Sequence, residues 1–230
     1  MKINIIIPVY NEKNTIEIIL KKIQEIKIPS CLLYIIVVDD GSADGTREVL
    51  KKNSDIINKT IFNRQNKGKG YSIREGIKYV DDGIILIQDA DLEYDPKDYP
   101  RLLKPILEGK ADVVFGSRFI GGQEKRVLYF WHAVANKCLT IFSNMLTDLN
   151  LTDMETCYKI FKNEDIKKII LKEDRFGFEP EITAKLAKLK NRIYEVGISY
   201  SGRNYAEGKK IGIKDAFSAI RCIVKYHFFK

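Results

Sequence analysis

Short apolar runs rich in β-branched residues alternate with longer amphipathic segments through the first half of the chain. The runs predict strands, and the segments between them, about a dozen residues each, have apolar residues at helical spacing. This alternation is typical of βαβ units, so we expect an α/β domain whose mostly parallel sheet is flanked by helices and buried on both faces. Strands are predicted over residues 2–9, 33–38, 59–62, 84–88 and 112–115.

The first predicted helix begins at Asn14, with Glu17 three residues later as its capping partner. After residue 126 the strand and helix alternation gives way to a different order of segments. The pattern there predicts a long helix over 126–146, a polar loop or short strand over 152–159, helices near 164–171 and 180–190, and a strand over 192–200.

Residues 213–229 return to helical spacing, with one apolar stripe. Such a stripe is usually core, but a basic helix that ends in aromatic residues is also typical of a lipid interface. We therefore divide the chain into a domain over residues 1–212 and a basic amphipathic helix over 213–230, a candidate for contact with a membrane surface or a partner. The stripe consists of Ile213, Phe217, Ile220, Val224 and Phe228.

Length and charge narrow the class of protein. At 230 residues the chain is long enough for one sizeable core. Its net charge of +8 arises from the end of the chain, because residues 184–230 contain eleven Lys or Arg against three Asp or Glu. A basic tail can face nucleic acid, anionic lipid or a phosphorylated substrate. No helix-turn-helix, zinc or RNA-stacking signature is present, so nucleic acid is not an expected partner.

Cysteine spacing and apolar run lengths indicate the compartment. The four cysteines are far apart and have no CxxC or Cys/His spacing, which indicates reduced thiols and a cytoplasmic location. The first apolar run is too short for a signal peptide, and polar residues interrupt the apolar stretch over 127–151, so a spanning helix is not expected. Any membrane contact is expected to be peripheral, at the cytoplasmic face.

An acidic stretch, Gln88-Asp89-Ala90-Asp91-Leu92-Glu93, follows the fourth predicted strand. Two carboxylates at this spacing can share one divalent ion, and hard oxygen ligands favour Mg²⁺ or Mn²⁺. Such an ion can neutralise a diphosphate leaving group. Taken alone, the pattern more often marks a solvated acidic turn. The basic loop over 63–70 is similarly ambiguous, since it can place Lys69 and backbone N–H groups near phosphate or be only a turn.

Four loops that follow predicted strands should converge on one edge of the sheet. They are Pro8-Val9-Tyr10-Asn11-Glu12, Val37-Val38-Asp39-Asp40-Gly41-Ser42, Gln88-Asp89-Ala90-Asp91 and Gly116-Ser117-Arg118. With this ordered set the chain resembles the family 2 glycosyltransferases of GT-A (Rossmann-like) fold over nearly its whole length. It is most similar to the branch that includes dolichol-phosphate mannose synthase and bacterial polyprenyl-phosphate glycosyltransferases, whose late basic loop resembles residues 198–209.

The resemblance implies an inverting, metal-dependent transfer of a sugar from a UDP- or GDP-linked donor to a polyprenyl (dolichol-type) phosphate. A sugar hydroxyl of a polysaccharide or glycolipid is the alternative acceptor, because residues 151–159 replace the Gly-Gly-Phe-Arg type sequence of the mannose synthases. Implied donor contacts are Pro8, Tyr10, Glu12, Lys69 and Ala90, with Asp39 reading the base. Asp89 and Asp91 are implied to handle Mg²⁺ or Mn²⁺, and Arg118, Arg203 and Lys209 the phosphates.

The acceptor decides whether a general base is needed. A phosphate monoester is largely ionised near neutral pH, so arginines that position it suffice. A hydroxyl acceptor requires a base, for which Asp153 and Glu155 are the first candidates. Glu179 and Glu181 are second candidates, although acids beside a proline are equally typical of a first helical turn.

Two other classes remain to be weighed. A catalytically silent binding protein could keep the fold, but the intact carboxylates argue against it. A dinucleotide-dependent oxidoreductase would need a GxGxxG sequence after the first strand, and Pro8-Val9-Tyr10-Asn11-Glu12 stands there instead.

Overall fold

A seven-stranded sheet in the order β3-β2-β1-β4-β6-β5-β7 runs through the protein. The computed structural model describes residues 1–127, 129–204 and 213–229. All strand pairs are parallel except those of β6, which runs antiparallel to both β4 and β5. The strands are β1 (Lys2–Val9), β2 (Leu32–Asp39), β3 (Lys59–Phe62), β4 (Ile84–Ile87), β5 (Val113–Ser117), β6 (Lys159–Lys162) and β7 (Ile193–Gly197).

Helices pack on the sheet, as the alternating pattern predicts, and the mostly parallel α/β architecture is confirmed. Both β1 and β4 are buried along almost their whole length, which is why they read as continuous apolar runs. The helices are α1 (Ile16–Glu25), α2 (Thr46–Lys52), α3 (Lys69–Ile77), α4 (Tyr99–Leu107), α5 (Phe130–Thr147), α6 (Asn163–Ile166), α7 (Phe178–Lys188) and α8 (Ile213–Phe228).

The predicted start of the first helix is wrong. Helix α1 begins at Ile16, and no side chain caps it. Instead the Glu12 carbonyl accepts from the backbone N–H groups of Thr15 and Ile16 at 3.1 and 3.0 Å. Glu17 forms an ion pair with Lys21 one turn later, at 2.6 Å, rather than reaching back to a cap. The turn at Glu12 thus sets the helix start, which the capping pattern alone does not reveal.

Two further boundaries differ from the sequence pattern. The long helix begins at Phe130 rather than at residue 126. The helix predicted near 164–171 is only the single turn α6, because the strand β6 precedes it directly and the chain leaves that turn at once.

Gly83 turns the chain into β4 with φ of 85°. A Cβ there would lie 2.2 Å from the carbonyl oxygen of Lys2, so only glycine lets β4 enter beside β1.

Helix α8 presents the described part of its apolar stripe, from Phe217 to Phe228, to solvent rather than to the core. Phe217 and Phe228 are 70% and 65% exposed, and Ile220 and Val224 are also exposed. The helix is buried instead through Ala219, Cys222, Ile223 and Tyr226, and it packs against α5 and α7. Within the described residues, no helix combines the length and the apolar character that a membrane span needs.

Glu173 anchors α8 to the domain. Its carboxylate accepts from Arg221 at 2.6 Å and from both Lys225 and Tyr226 at 2.8 Å. Partial burial acts to raise the pKa of Glu173, but these hydrogen bonds outweigh it and lower the pKa to about 2. Since this folded pKa lies below the ordinary 4.5, the anchor stabilises the fold above pH 4.5 and is lost as the pH falls toward 2.

We therefore expect Glu173→Gln to lower the melting temperature at pH 6 and to flatten its decline between pH 6 and pH 3. Thermal unfolding followed by circular dichroism checks this expectation. Glu108→Gln, which removes an exposed carboxylate that pairs with Lys110, is the matched control and should leave the profile unchanged. An equally steep acid decline in the Glu173→Gln protein would contradict the anchor.

Candidate functional site

Strands β1, β2, β4 and β5 end at one edge of the sheet, and each delivers part of a polar cluster there. Asp39 is the last residue of β2, and the acidic stretch begins one residue after β4. Arg118 follows β5 directly. The predicted convergence of these loops is what the strand register produces, because parallel strands end on the same side.

Gln88 fixes the acidic stretch, which forms a turn (the acidic turn), to the core. Its Oε1 accepts from the hydroxyls of Tyr99 and Tyr158, both at 2.7 Å, and its Nε2 donates to the carbonyl of Asp89 at 2.8 Å. The buried amide is therefore satisfied on both sides. Leu92 then adopts a left-handed φ of 65°, which turns the chain so that the Glu93 N–H reaches Asp91 Oδ1 at 3.1 Å.

Lys69 joins the acidic turn to α7. Its Nζ lies 2.9 Å from Asp89 Oδ1 and 3.1 Å from Glu179 Oε1. Burial acts to lower the pKa of Lys69, but the carboxylates of Asp89 and Glu179 raise it well above its usual range. The loop that carries Lys69 depends on Gly68, with φ of 110°, whose Cβ would lie 2.4 Å from the carbonyl of Asp174.

Arg203 bridges three carboxylates at the same edge. Its guanidinium lies 3.2 Å from Glu12, 3.0 Å from Asp91 and 3.6 Å from Glu93. Burial, and then the neighbouring carboxylates of Asp89 and Glu93, raise the pKa of Asp91 to about 7 although Arg203 opposes the shift. Negative charge is thus crowded here beyond what one guanidinium offsets.

Arg118, directly after β5, and Asp153 form a bidentate ion pair at this edge of the sheet. Arg118 Nε lies 2.6 Å from Asp153 Oδ2 and Nη2 lies 2.7 Å from Oδ1, while Asn136 donates to the same carboxylate at 3.3 Å. Asp153 is wholly buried. The Arg118 guanidinium also lies 5.3 Å from the centre of the Tyr200 ring, within cation–π range.

The candidate nucleotide contacts lie along β1 and β2. Pro8 is within β1, Tyr10 is half exposed beyond it, and Asp39 is fully buried. Asp39 Oδ2 accepts from Arg47 at 2.6 Å, whereas Oδ1 is buried without a hydrogen-bond partner. A buried carboxylate oxygen left in this state is ready to accept from a ligand.

The four candidate bases divide into two kinds. Asp153 is held by Arg118, and Glu181 is fully buried and accepts from the backbone of Lys172 and Glu173, both at 2.7 Å. Glu155 and Glu179 each retain one buried oxygen that no group in the described part of the chain satisfies. Burial, and then the Glu179 carboxylate, raise the pKa of Glu155 to about 8.

Sequence reasoning missed two polar residues of this region. Asp40 accepts from the backbone N–H groups of Lys67 and Gly68 and so shapes the basic loop. Lys159 is wholly buried and donates to the carbonyls of Met154 and Thr156, which flank the candidate base Glu155. Its only sequence signal is a lysine within the otherwise apolar Cys157-Tyr158-Lys159-Ile160-Phe161 segment. Lys209, a predicted phosphate contact, lies outside the described residues.

Comparison with known proteins places this geometry in a family. Residues 4–170 match the family model "Glycosyl transferase family 2". An uncharacterised protein of Methanocaldococcus jannaschii is 31% identical over 95% of this chain and 91% of its own. The undecaprenyl-phosphate mannosyltransferase of Micrococcus luteus is 28% identical over 92% of this chain and 88% of its own.

Solved structures support the fold. The glucosyl-3-phosphoglycerate synthase of Mycobacterium tuberculosis, crystallised with Mn²⁺ and UDP-glucose, superposes with a TM-score of 0.78 over 100% of this chain and 80% of that one. The sequence identity is 15%, so the likeness bears on the fold alone. It confirms the predicted GT-A architecture.

Proposed function

This chain belongs to glycosyl transferase family 2, and we propose that it transfers a sugar from a nucleoside-diphosphate sugar to a polyprenyl phosphate, with inversion at the anomeric carbon and with a divalent cation. The family membership confirms the predicted resemblance and the prediction of a glycosyltransferase. The acceptor, the metal and the residue roles are what the proposal adds.

The pairing of each motif carboxylate with one cationic side chain carries the proposal. Lys69 forms an ion pair with Asp89, and Arg203 forms one with Asp91. A donor diphosphate brings negative charge that suits the lysine and the guanidinium, and a divalent cation suits the two carboxylates. The four side chains could therefore change partners when metal and donor bind, with the metal replacing the cationic side chains on Asp89 and Asp91.

Protein side chains alone would not complete the coordination of a metal ion at the proposed site. No group of three or more His, Cys, Asp or Glu side chains in the described part of the chain is arranged to hold an ion. Mg²⁺ and Mn²⁺ suit such a site, because they are often held by one or two carboxylates together with substrate phosphates. Asp89 and Asp91 would hold the ion, and the crowding that raises the pKa of Asp91 to about 7 favours a cation there. The ion would stabilise the charge of the departing nucleoside diphosphate.

The chain's own residues account for binding of the donor and the leaving group. Asp39 Oδ1, which is buried and unsatisfied among the described residues, would accept from an N–H of the base. Lys69 and Arg203 would hold the diphosphate as its bond to the sugar breaks. Lys209 is proposed to join them.

A lipid phosphate is the proposed acceptor for two reasons. A relative that aligns over 92% of this chain is named as an undecaprenyl-phosphate mannosyltransferase. A phosphate acceptor also needs no general base, which suits a site where Arg118 already neutralises Asp153. A sugar hydroxyl is the second candidate, because Glu155 has one unpartnered oxygen that accepts a proton when the side chain is ionised, and its pKa of about 8 makes that carboxylate a stronger base than an ordinary one.

The exposed faces of α5 and α8 are the proposed contact with the lipid surface at the cytoplasmic side. Trp131 is 76% exposed, and it lies near the start of α5, the helix that packs against α8 with its exposed Phe217. Aromatic side chains are favoured at the membrane interface, and the basic end of the chain complements anionic headgroups. An acceptor whose polyprenyl chain is embedded in a bilayer would be presented at this surface.

One assay tests the acceptor. The purified protein is incubated with UDP- and GDP-sugars and Mn²⁺, with and without a short polyprenyl phosphate, and released nucleoside diphosphate is followed. We expect release that depends on the lipid phosphate. Release with a sugar hydroxyl acceptor but never with lipid phosphate would overturn the proposal.

A second arm of the assay tests the lipid surface, with the acceptor in anionic vesicles. Here Trp131→Ser and Phe217→Ser should each lower the rate several-fold. The same variants should keep the wild-type rate with a water-soluble short-chain acceptor. Equal rates in both formats would contradict a membrane role for this face.

A further inference from the structure

Two carboxyl groups beside the acidic turn each have an oxygen that no described side chain or backbone group satisfies. Glu179, at the start of α7, is only 4% exposed, and its Oε2 is buried without a partner. Glu155, in the loop before β6, has its Oε1 in the same state. Thr156 adds a third buried oxygen without a partner. Orphaned polar atoms are uncommon in folded proteins, so three in adjoining segments indicate a polar ligand.

We propose that Glu155 and Glu179 form the subsite that binds the hydroxyl groups of the transferred sugar. The inference rests on the proposed function, because it assigns the sugar of the donor to this pair. It makes the two residues determinants of which sugar is accepted.

The position of Glu179 supports the assignment. Lys69 Nζ contacts both Asp89 Oδ1 at 2.9 Å and Glu179 Oε1 at 3.1 Å, so one ammonium group separates Glu179 from the acidic turn. If the donor diphosphate binds at the acidic stretch, the sugar is attached to its second phosphate and lies next to the stretch, on the side of Glu179. The free oxygen of Glu179 is then within reach of the sugar ring.

The charge of the pair suits a neutral polyol. The Glu179 carboxylate repels the acceptor phosphate from this subsite, whereas sugar hydroxyl groups can donate to it without added charge. Burial and the Glu179 carboxylate raise the pKa of Glu155 to about 8, so at neutral pH it is mainly a carboxylic acid that can itself donate. Glu179 as acceptor and Glu155 as donor match a pair of neighbouring hydroxyls, each of which is donor and acceptor.

Lys159 explains how the fold holds two acids there. It is wholly buried and donates to the carbonyls of Met154 and Thr156, on either side of Glu155. Glu179 and Glu155 act to raise the pKa of Lys159, although burial prevails and lowers it to about 8. The lysine therefore holds the loop through its backbone carbonyls and leaves Glu155 Oε1 and Glu179 Oε2 available to a ligand.

The test separates binding of the sugar from binding of the nucleotide. Isothermal titration with Mn²⁺ gives the dissociation constants for UDP, UDP-glucose, GDP and GDP-mannose, and the wild-type protein identifies the preferred pair. The ratio of the nucleoside diphosphate constant to the nucleotide sugar constant is the contribution of the sugar. We expect Glu179→Gln and Glu155→Ala to lower this ratio at least tenfold while the constant for the nucleoside diphosphate changes less than threefold.

Glu181→Gln is the matched control, since Glu181 is on the same helix but its carboxylate faces the Lys172–Glu173 backbone. It should lower the melting temperature and leave the sugar ratio unchanged. A wild-type ratio in both Glu155→Ala and Glu179→Gln proteins, with transfer activity intact, would overturn the subsite alone. A wild-type protein that binds neither nucleotide nor nucleotide sugar would instead overturn the proposed function.

Discussion

Asp91→Asn should lower sugar transfer on the order of 10³-fold with either Mg²⁺ or Mn²⁺. The amide keeps the shape of the side chain but removes the charge that would hold the ion against the diphosphate. The fold should survive, because burial and the carboxylates of Asp89 and Glu93 already disfavour the charge of Asp91 and raise its pKa to about 7. Turnover, melting temperature and Mn²⁺ binding by electron paramagnetic resonance are the measurements.

Asp95→Asn provides the control for this substitution. Asp95 lies two residues beyond the acidic stretch and pairs with Lys22 of α1 at 2.8 Å, so its variant should keep wild-type turnover. Full activity of the native protein in excess chelator, or wild-type rates in the Asp91→Asn protein, would disprove the metal assignment.

Arg118→Ala should destabilise the protein by about 3 kcal/mol or more, because it leaves the wholly buried Asp153 carboxylate without its guanidinium. Loss of a buried ion-pair partner is among the largest effects of single substitutions. Urea unfolding gives the free energy of unfolding. Adding Asp153→Asn to Arg118→Ala should recover much of the loss, since the orphaned charge is then removed.

The chain offers an exposed counterpart of the same geometry. Arg192 contacts Asp112 through Nε at 3.0 Å and Nη2 at 2.8 Å, but its side chain is 54% exposed against 16% for Arg118. Arg192→Ala should therefore destabilise the protein much less than Arg118→Ala. Equal losses for the two arginines would show that burial of the Arg118 pair contributes nothing.

The six parallel strands could be predicted from sequence because buried parallel strands are continuous apolar runs with sharp polar ends. The antiparallel strand β6 was not, since only its first residue, Lys159, lies within the segment 152–159 that was predicted as a polar loop or short strand. The positions of Asp39, Asp89 and Arg118 at one edge follow from those ends alone. Helix α8 was harder, since its stripe around Phe217 has the spacing of a core face. Burial through Cys222 and Tyr226 depends on contacts with α7 that lie far away along the chain.

Contacts between distant segments account for most of what the sequence could not predict at the site. Lys69 and Glu179 are 110 residues apart, and no local pattern links them, yet they share one ion pair. Arg203 reaches Asp91 across a similar separation. Unsatisfied oxygens such as Glu179 Oε2 are likewise visible only after every nearby donor has been placed.

The guanidinium of Arg203 on Asp91 and Glu93 has a thermodynamic consequence for the proposed enzyme. An ion that arrives alone must displace this side chain, whereas a donor diphosphate offers it a new partner. Metal and donor should therefore bind cooperatively, and by reciprocity each raises the affinity for the other by the same factor. Arg203 would thereby compete with a lone metal ion for Asp91, so that each ligand binds more weakly without the other.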